Sequence, residues 1–253
     1  MEITSFGGTD PGKRRSNNED SYLVNDELLL YAVADGIGGS EGGEVASRIA
    51  VDTLAGVLPD LLGEEEQTPS SILDHTTDTR FSALRKAITL TNLKIREARS
   101  TDPQLRSMGT TLTAVLLRKK HALIVNVGDS RAYLLRSGLL HQLTLDHSLV
   151  AEHVAAGLLT PDEARVSSYR HIITRALGID EVVQADFMEH LLQPDDRILL
   201  CTDGLTEMLE DPEILMILST SLPHDAVQKL LAAANDNGGV DNITAVVVWV
   251  MNV

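Results

Sequence analysis

Six short apolar segments, each bounded by Gly, Asp or Ser, constrain most strongly what this chain can fold into. They comprise residues 28–34, 112–118, 122–127, 131–135, 197–202 and 243–250. Such segments are typical of β-strands. In several of them, as in the ALIV sequence at 122–125, consecutive positions are apolar, which indicates sheets covered on both faces. Short links at 118–121 and 137–138 predict hairpins, so that neighbouring strands are mostly antiparallel.

The predicted helices are grouped apart from the strands. Residues 44–62 and 78–100 carry apolar side chains at the spacing of amphipathic helices, and a polar loop is predicted between them at 63–78. Three further helices are predicted from their N-terminal signals at 160–163, 211–212 and 223–235. Hairpin strands and segregated helices together predict an α+β fold with helices packed outside the sheets.

Composition and charge indicate the class of protein. The 253 residues include 37 acidic and 21 basic side chains, for a net charge of −16, and such a surface repels nucleic acids. A single cysteine, Cys201, excludes internal disulfides and thiolate-rich metal sites. No segment approaches the roughly 18 apolar residues of a membrane span, and the N-terminus lacks a signal-peptide pattern. No repeat or linker divides the chain, so we expect one domain over residues 1–253 in a soluble, cytoplasmic protein.

Aspartates stand at the ends of the predicted strands. Three strands are followed and a fourth is preceded by such a residue: Asp35, Asp129, Asp203 and Asp241. Because the exit of one antiparallel strand and the entrance of its neighbour share an edge, these carboxylates can meet. Carboxylates that close cannot all ionise unaided at neutral pH, and hard cations such as Mg²⁺, Mn²⁺ or Ca²⁺ suit an all-oxygen ligand set. The alternative is that each Asp-Gly pair forms an ordinary turn.

The N-terminal run RSNNED adds a cation and two acids: Arg15, Glu19 and Asp20. A guanidinium beside a metal cluster is suited to bidentate binding of an oxyanion such as phosphate. The alternative interpretation is a solvated, charged loop.

Eight motifs, distributed along essentially the whole chain, resemble those of the PP2C-type metal-dependent serine/threonine protein phosphatases, and in particular the bacterial single-domain members. In order they are RSNNED (15–20), ADGIGG (34–39), GTT (109–111), VGDSRAY (127–133), LTLDH (143–147), ITRALG (173–178), CTDGL (201–205) and GVDNIT (239–244). The resemblance implies a four-layer αββα sandwich, with two central antiparallel sheets flanked by helices. It also implies a binuclear Mn²⁺ or Mg²⁺ centre at one edge.

The resemblance further implies roles for individual residues. Asp35 resembles the catalytic residue that bridges both metals, and the carbonyl of Gly36 resembles a further ligand. Asp203 and Asp241 resemble ligands of one metal. Arg15 resembles the catalytic clamp that binds phosphate.

Other residues resemble more peripheral parts of the family's site. Glu19 and Asp20 resemble the acids that complete the second metal, partly through water, and Asp129 resembles the acid that helps hold a third, weaker metal. Residues 147–178 resemble the flap that borders the active site, and His147 and His171 are candidates for lining it. Ile37 occupies the position at which eukaryotic members carry a histidine, so the sequence assigns no general acid.

The implied activity is hydrolysis of phosphoserine and phosphothreonine by a hydroxide that bridges the metals, with phosphorylated proteins as partners and a serine/threonine kinase acting in opposition. The acidic excess favours substrates with basic flanking residues. A pseudophosphatase that binds phosphoproteins without turnover is the main alternative, although it would lack one of the metal-type acids. Other phosphate chemistries fit less well: a P-loop would need Ser or Thr at Arg14, and a cysteine nucleophile at Cys201 would need an arginine at Glu207.

Overall fold

The computed structural model describes residues 1–38, 42–67 and 81–253, and two antiparallel sheets lie at its centre. The strands are β1 (Glu2–Asp10), β2 (Asp20–Asn25), β3 (Leu30–Ile37), β4 (Gly109–Thr110), β5 (Leu112–Arg118), β6 (His121–Val127), β7 (Arg131–Arg136), β8 (Leu139–Gln142), β9 (Asp186–Leu191), β10 (Asp196–Cys201) and β11 (Ile243–Asn252). One sheet has the order β1-β11-β10-β7-β8, and the other has the order β2-β3-β5-β6-β9 with β4 paired to β3. The strand pairings are antiparallel, as the hairpin signals predict.

Helices cover the outer face of each sheet. They are α1 (Gly42–Gln67), α2 (Ser82–Thr101), α3 (Leu149–Ala155), α4 (Pro161–Val166), α5 (Asp203–Thr206), α6 (Asp211–Thr220) and α7 (Pro223–Asp236), with a 3₁₀ turn at Pro103–Leu105. The first two pack on the sheet that contains β3, and α6 and α7 pack on the sheet that contains β11. The predicted α+β class and its four-layer αββα arrangement are therefore confirmed.

Both faces of the central strands are buried, so the apolar core has three layers. Along β3, Leu30, Ala32 and Ala34 contact the helix side, whereas Tyr31 and Val33 contact the facing sheet. All five side chains are fully buried. The consecutive apolar positions of the sequence are explained by this double coverage.

The strands that the sequence does not predict are mainly edge strands. β1, β2, β8 and β9 form the four edges of the two sheets, where side chains are partly exposed and apolar patterning is weak. In β1, neighbouring side chains also lie too close to the backbone for larger residues. A Cβ on Gly7 would lie 2.7 Å from the ring of Tyr22, and one on Gly8 would lie 2.9 Å from Val227. Small residues are required there and leave no apolar signature.

Helix boundaries differ from the prediction at one linker. Helix α1 continues to Gln67, so the first part of the loop predicted at 63–78 is helical, because Glu and Gln favour helix. The remainder of that loop and the predicted start of the next helix at 78–80 lie outside the described residues. The capping box of Thr160 and Glu163 is present as predicted.

The segment that resembles the family's flap, residues 147–178, contains α3 and α4 and lies between β8 and β9 in the chain. We call it the flap segment. Within residues 1–38, 42–67 and 81–253, none of the helices combines the length and the hydrophobicity needed to span a membrane.

Candidate metal centre

Strand pairing brings the predicted acidic residues to the side of the two sheets where strand ends meet. We call this side the acidic edge. Asp20 at the start of β2 is the register partner of Asp35 in β3. In the facing sheet, Asp203 follows β10 and Asp241 precedes β11, and these strands are neighbours. Asp129 lies in the link from β6 to β7, close enough for its charge to act on Asp35. The edge predicted from the sequence is therefore a real cluster of carboxylates.

Two of these carboxylates carry a buried oxygen that has no hydrogen-bond partner in the described part of the chain. Oδ2 of Asp20 accepts hydrogen bonds from Thr244 Oγ1 at 2.6 Å and Thr202 Oγ1 at 2.8 Å, whereas its Oδ1 accepts none. Oδ1 of Asp203 is likewise buried and unpartnered. Such atoms are costly unless something binds them, and cations bound at this edge would supply the missing partners.

Burial and mutual repulsion disfavour the ionised forms of the cluster. Burial raises the pKa of Asp20 to about 7, and burial together with the charges of the other aspartates raises the pKa of Asp35 well above its ordinary value. The pKa values of Asp129 and Asp203 are raised too, first by burial and then by a neighbouring aspartate. Divalent cations relieve this repulsion, and an all-oxygen donor set fits Mn²⁺ or Mg²⁺.

Glycines allow the backbone to approach the cluster closely. The amide of Gly36 donates to the carbonyl of Glu19 at 3.1 Å, and a Cβ on Gly36 would overlap the carbonyl of Gly43. A Cβ on Gly43 would in turn overlap the carboxylate of Glu19. The start of α1 thus packs against the carboxylate of Glu19, the residue that precedes Asp20 and its register partner Asp35.

Arg15 lies against Asp241 at this edge. Its Nη2 donates to Oδ2 of Asp241 at 2.6 Å, and its side chain is half-exposed. The guanidinium is therefore fixed at one nitrogen and open to solvent elsewhere, which suits a group that binds an incoming anion. At this edge the charges of Asp20, Asp35, Asp129, Asp203 and Asp241 act on one another, and those of Asp241, Glu19 and Asp35 act on Arg15. Gly36 directly follows Asp35 in β3.

Asn242 attaches the N-terminal segment to the cluster, a role that sequence reasoning missed. Its Nδ2 donates to the carbonyls of Asn17 at 2.9 Å and Pro11 at 3.0 Å, and its Oδ1 accepts from the amide of Glu19 at 2.8 Å. Its position directly after Asp241 in the GVDNIT motif is the signal that could have indicated it.

His147 holds the link that carries Asp129. The amide of Gly128 donates to Nδ1 of His147 at 3.1 Å, and the amide of His147 donates back to the Gly128 carbonyl at 3.0 Å. Nε2 of His147 lies 3.2 Å from Oδ2 of Asp186. Although the sequence suggested that His147 lines the flap, this side chain is only 5% exposed and supports the turn beneath Asp129.

The protonation of this cluster predicts how cation binding changes stability with pH. The pKa of Asp20 rises from an ordinary 3.8 to about 7 in the metal-free fold, so its contribution to stability is present below pH 4 and is lost as pH rises through 7. Protons and cations compete for the same oxygens. We therefore expect the increase in melting temperature caused by Mn²⁺, relative to a chelated sample, to grow between pH 5 and 7. A pH-independent increase in thermal scans would contradict the assignment of the cluster as the metal site.

Comparison with known proteins identifies the family. The Protein phosphatase 2C sequence model matches residues 8–243. Protein phosphatase PhpP of Streptococcus pneumoniae is 36% identical over 252 residues, which cover 98% of this chain and 97% of the relative. The fold is similar to the crystal structure of the Mycobacterium tuberculosis serine/threonine phosphatase PstP/Ppp, with a TM-score of 0.87, 35% identity and 99% coverage of both chains.

A second solved structure bears on the metal. The catalytic domain of the serine/threonine phosphatase PstP in complex with two manganese ions is 34% identical to this chain, with a TM-score of 0.84 and 99% coverage of both chains. Motifs, fold, acidic edge and comparisons agree, and the chain belongs to the protein phosphatase 2C family.

Proposed function

We propose that this chain removes phosphate from phosphoserine and phosphothreonine in protein substrates, with Mn²⁺ or Mg²⁺ held by the acidic edge. The observation that carries the proposal is the convergence of buried carboxylates, two of them with unpartnered oxygens, beside the half-exposed Arg15. Every metal-type acid is present, which favours an enzyme over a pseudophosphatase that would lack one. We further propose that it acts in the cytoplasm on proteins phosphorylated by a serine/threonine kinase.

The residues divide into sets for the cations. Asp35 would contribute to holding two of them, the Gly36 carbonyl with Glu19 and Asp20 would hold one, and Asp203 with Asp241 would hold the other. The unpartnered Oδ1 of Asp20 fits this assignment, because its Oδ2 is already occupied by two threonine hydroxyls. When bound, divalent cations lower the pKa of water and neutralise phosphoryl oxygens.

Asp129, together with Asp203, is assigned to a third and weaker cation. Asp129 is 8% exposed, and after burial the charge of Asp203 is the largest cause that raises its pKa. No side chain at position 37 can donate a proton, since Ile37 stands there.

Arg15 orients the phosphoryl group, and no side chain of the enzyme needs to form a phosphoryl intermediate. The one thiol, Cys201, is fully buried, and burial raises its pKa to about 12, so it stays protonated and out of reach of substrate. Asp241 fixes the guanidinium through one nitrogen and leaves its other donors for phosphate oxygens.

A substrate panel tests the proposal. Three peptides of one sequence, carrying phosphoserine, phosphothreonine or phosphotyrosine, are incubated with the protein and Mn²⁺ or Mg²⁺, and released phosphate is measured. We expect release from the phosphoserine and phosphothreonine peptides. No release from either peptide, with the protein folded and the metal bound, would refute the assignment.

Arg15→Ala should weaken substrate binding without emptying the metal sites. A charge-assisted bidentate contact contributes about 1.5–3 kcal/mol, so kcat/KM should fall roughly ten- to a hundredfold. Because a ground-state phosphate is bound as well as the transition state, most of the loss should appear in KM. Arg14→Ala, at the exposed neighbouring position, is the matched control and should leave steady-state kinetics unchanged. Unaltered kinetics in Arg15→Ala would support the solvated-loop interpretation instead.

A further inference from the structure

A groove with a volume of about 840 Å³ adjoins the acidic edge. Asp129 and Asp203 are among its lining residues, so the groove is continuous with the candidate metal centre. The flap segment forms one wall through α3, and the chain from α5 to the start of α6 forms the other. The apolar side chains that line it include Leu145, Val150, Val154, Met208, Leu209 and Val240.

Besides Asp129 and Asp203, which are assigned to the metal centre, the groove is lined by four carboxylates and three arginines, so its remaining charges nearly cancel. Each of its three arginines faces a carboxylate that also lines the groove. The pairs are Arg131–Asp146, Arg165–Glu210 and Arg170–Glu207, with N···O distances of 2.7, 3.5 and 3.8 Å. A strongly charged peptide would therefore find little complementary charge, in contrast to the rest of this acidic molecule.

Apolar side chains in the groove remain open to solvent. Leu145 is 75% exposed and Val240 is 41% exposed, although both line the groove. A concave surface with exposed apolar walls next to a reactive centre is typical of ligand-binding sites. The occupant must reach the acidic edge and bring its own apolar side chain.

We propose that this groove binds the part of a phosphoprotein that adjoins the phosphorylated residue, and that it selects substrates with an apolar side chain there. The inference rests on the proposed function. A phosphoryl group held by Arg15 and the acidic edge has neighbouring residues spaced at about 3.3 Å along an extended chain, so those within a few positions reach the groove. The near-neutral, apolar walls match leucine-like side chains and not charged ones.

Paired peptides test this selectivity. Three phosphothreonine peptides differ only in the residues on both sides of the phosphothreonine, which are leucine, serine or lysine. We expect kcat/KM to be about tenfold higher for the leucine peptide than for the serine peptide, because burying a leucine side chain strengthens binding by about that factor. The lysine peptide, which the overall charge of −16 favours, should not exceed the serine peptide.

Two groove variants and one control show which surface is responsible for the preference for leucine. Val154→Asp places a charge in the apolar wall, and Leu145→Gln changes a largely exposed side chain whose replacement leaves the fold intact. Both should lose the preference for leucine while hydrolysing p-nitrophenyl phosphate at the rate of the unmodified protein. Val166→Asp, at a flap position that is 82% exposed and does not line the groove, should keep the preference.

The outcomes separate the groove from the proposed function. Equal hydrolysis of all three peptides, a preference for lysine, or a preference retained in both groove variants would overturn the groove proposal. An equal loss in Val166→Asp would overturn it in favour of the outer flap surface. Failure of the unmodified protein to release phosphate from any of the three peptides or from p-nitrophenyl phosphate would refute the proposed function. Calorimetric affinities for the leucine and serine peptides with Mn²⁺ would then decide the groove alone, and equal affinities would overturn it.

Discussion

Asp35→Asn should abolish useful phosphate release by lowering kcat at least about 10³-fold. This loss exceeds the losses usual for residues that only support a metal ligand. Asp35 lies among the carboxylates of Asp20, Asp129 and Asp203, which all act on its charge. An amide has nearly the same shape but lacks the charge that would bridge two cations. Phosphate release with saturating Mn²⁺ measures the effect.

The same substitution should not destabilise the chelated protein. Removing one of several mutually repelling, buried charges relieves the repulsion that raises the pKa values of the cluster. We expect a melting temperature in chelator at least equal to that of the unmodified protein, and a smaller increase on adding Mn²⁺. Asp195→Asn is the control, because Asp195 is exposed in a turn with φ of 69° that asparagine also adopts. Full activity in Asp35→Asn would contradict the assignment of Asp35 as a metal ligand.

Asp129→Ala should lower kcat by about 10²-fold, the lower range for losing assistance to proton transfer. Position 37 offers no proton donor, and the charge of Asp203 acts on Asp129. The substitution leaves Asp35, Asp203 and Asp241 in place, so two cations should still bind with nearly normal affinity while the weak third site disappears. Calorimetric titration with Mn²⁺ and steady-state kinetics on one preparation measure both effects.

The alternative for Asp129 is a purely structural role in its turn. The turn is already held by Gly128 and His147 through two hydrogen bonds, and Arg131 pairs with Asp146 rather than with Asp129. Little stability should therefore be lost in Asp129→Ala. A lower melting temperature with a normal metal count and a normal kcat would refute the third-metal assignment.

The central strands were predictable because their chemistry is local. Strands such as β3 and β11 are buried on both faces, and this imposes consecutive apolar residues that can be read without a structure. β1 is different: its Gly7 and Gly8 are dictated by the close approach of Tyr22 and Val227. Those contacts join residues that are far apart in the chain, so no local pattern reveals them.

The candidate site likewise contains residues that the sequence predicts and residues that only the structure reveals. Aspartates at strand ends predicted the acidic edge, since strand direction alone decides which ends meet. Asn242 and His147 act through hydrogen bonds to backbone groups of Glu19 and Gly128. Their side-chain types do not suggest those partners, and only the folded arrangement shows that they position the site.

We propose that the acidic edge is a divalent-metal centre at which phosphothreonine is hydrolysed, and the dependence of phosphate release on metal tests this most directly. Phosphate release from one phosphothreonine peptide is measured on a single preparation after exhaustive chelation, after removal of the chelator, and after addition of Mn²⁺. We expect no release in the first two samples and full release in the third, with the metal-dependent rise in melting temperature following the same titration. Undiminished release from the chelated protein would contradict it.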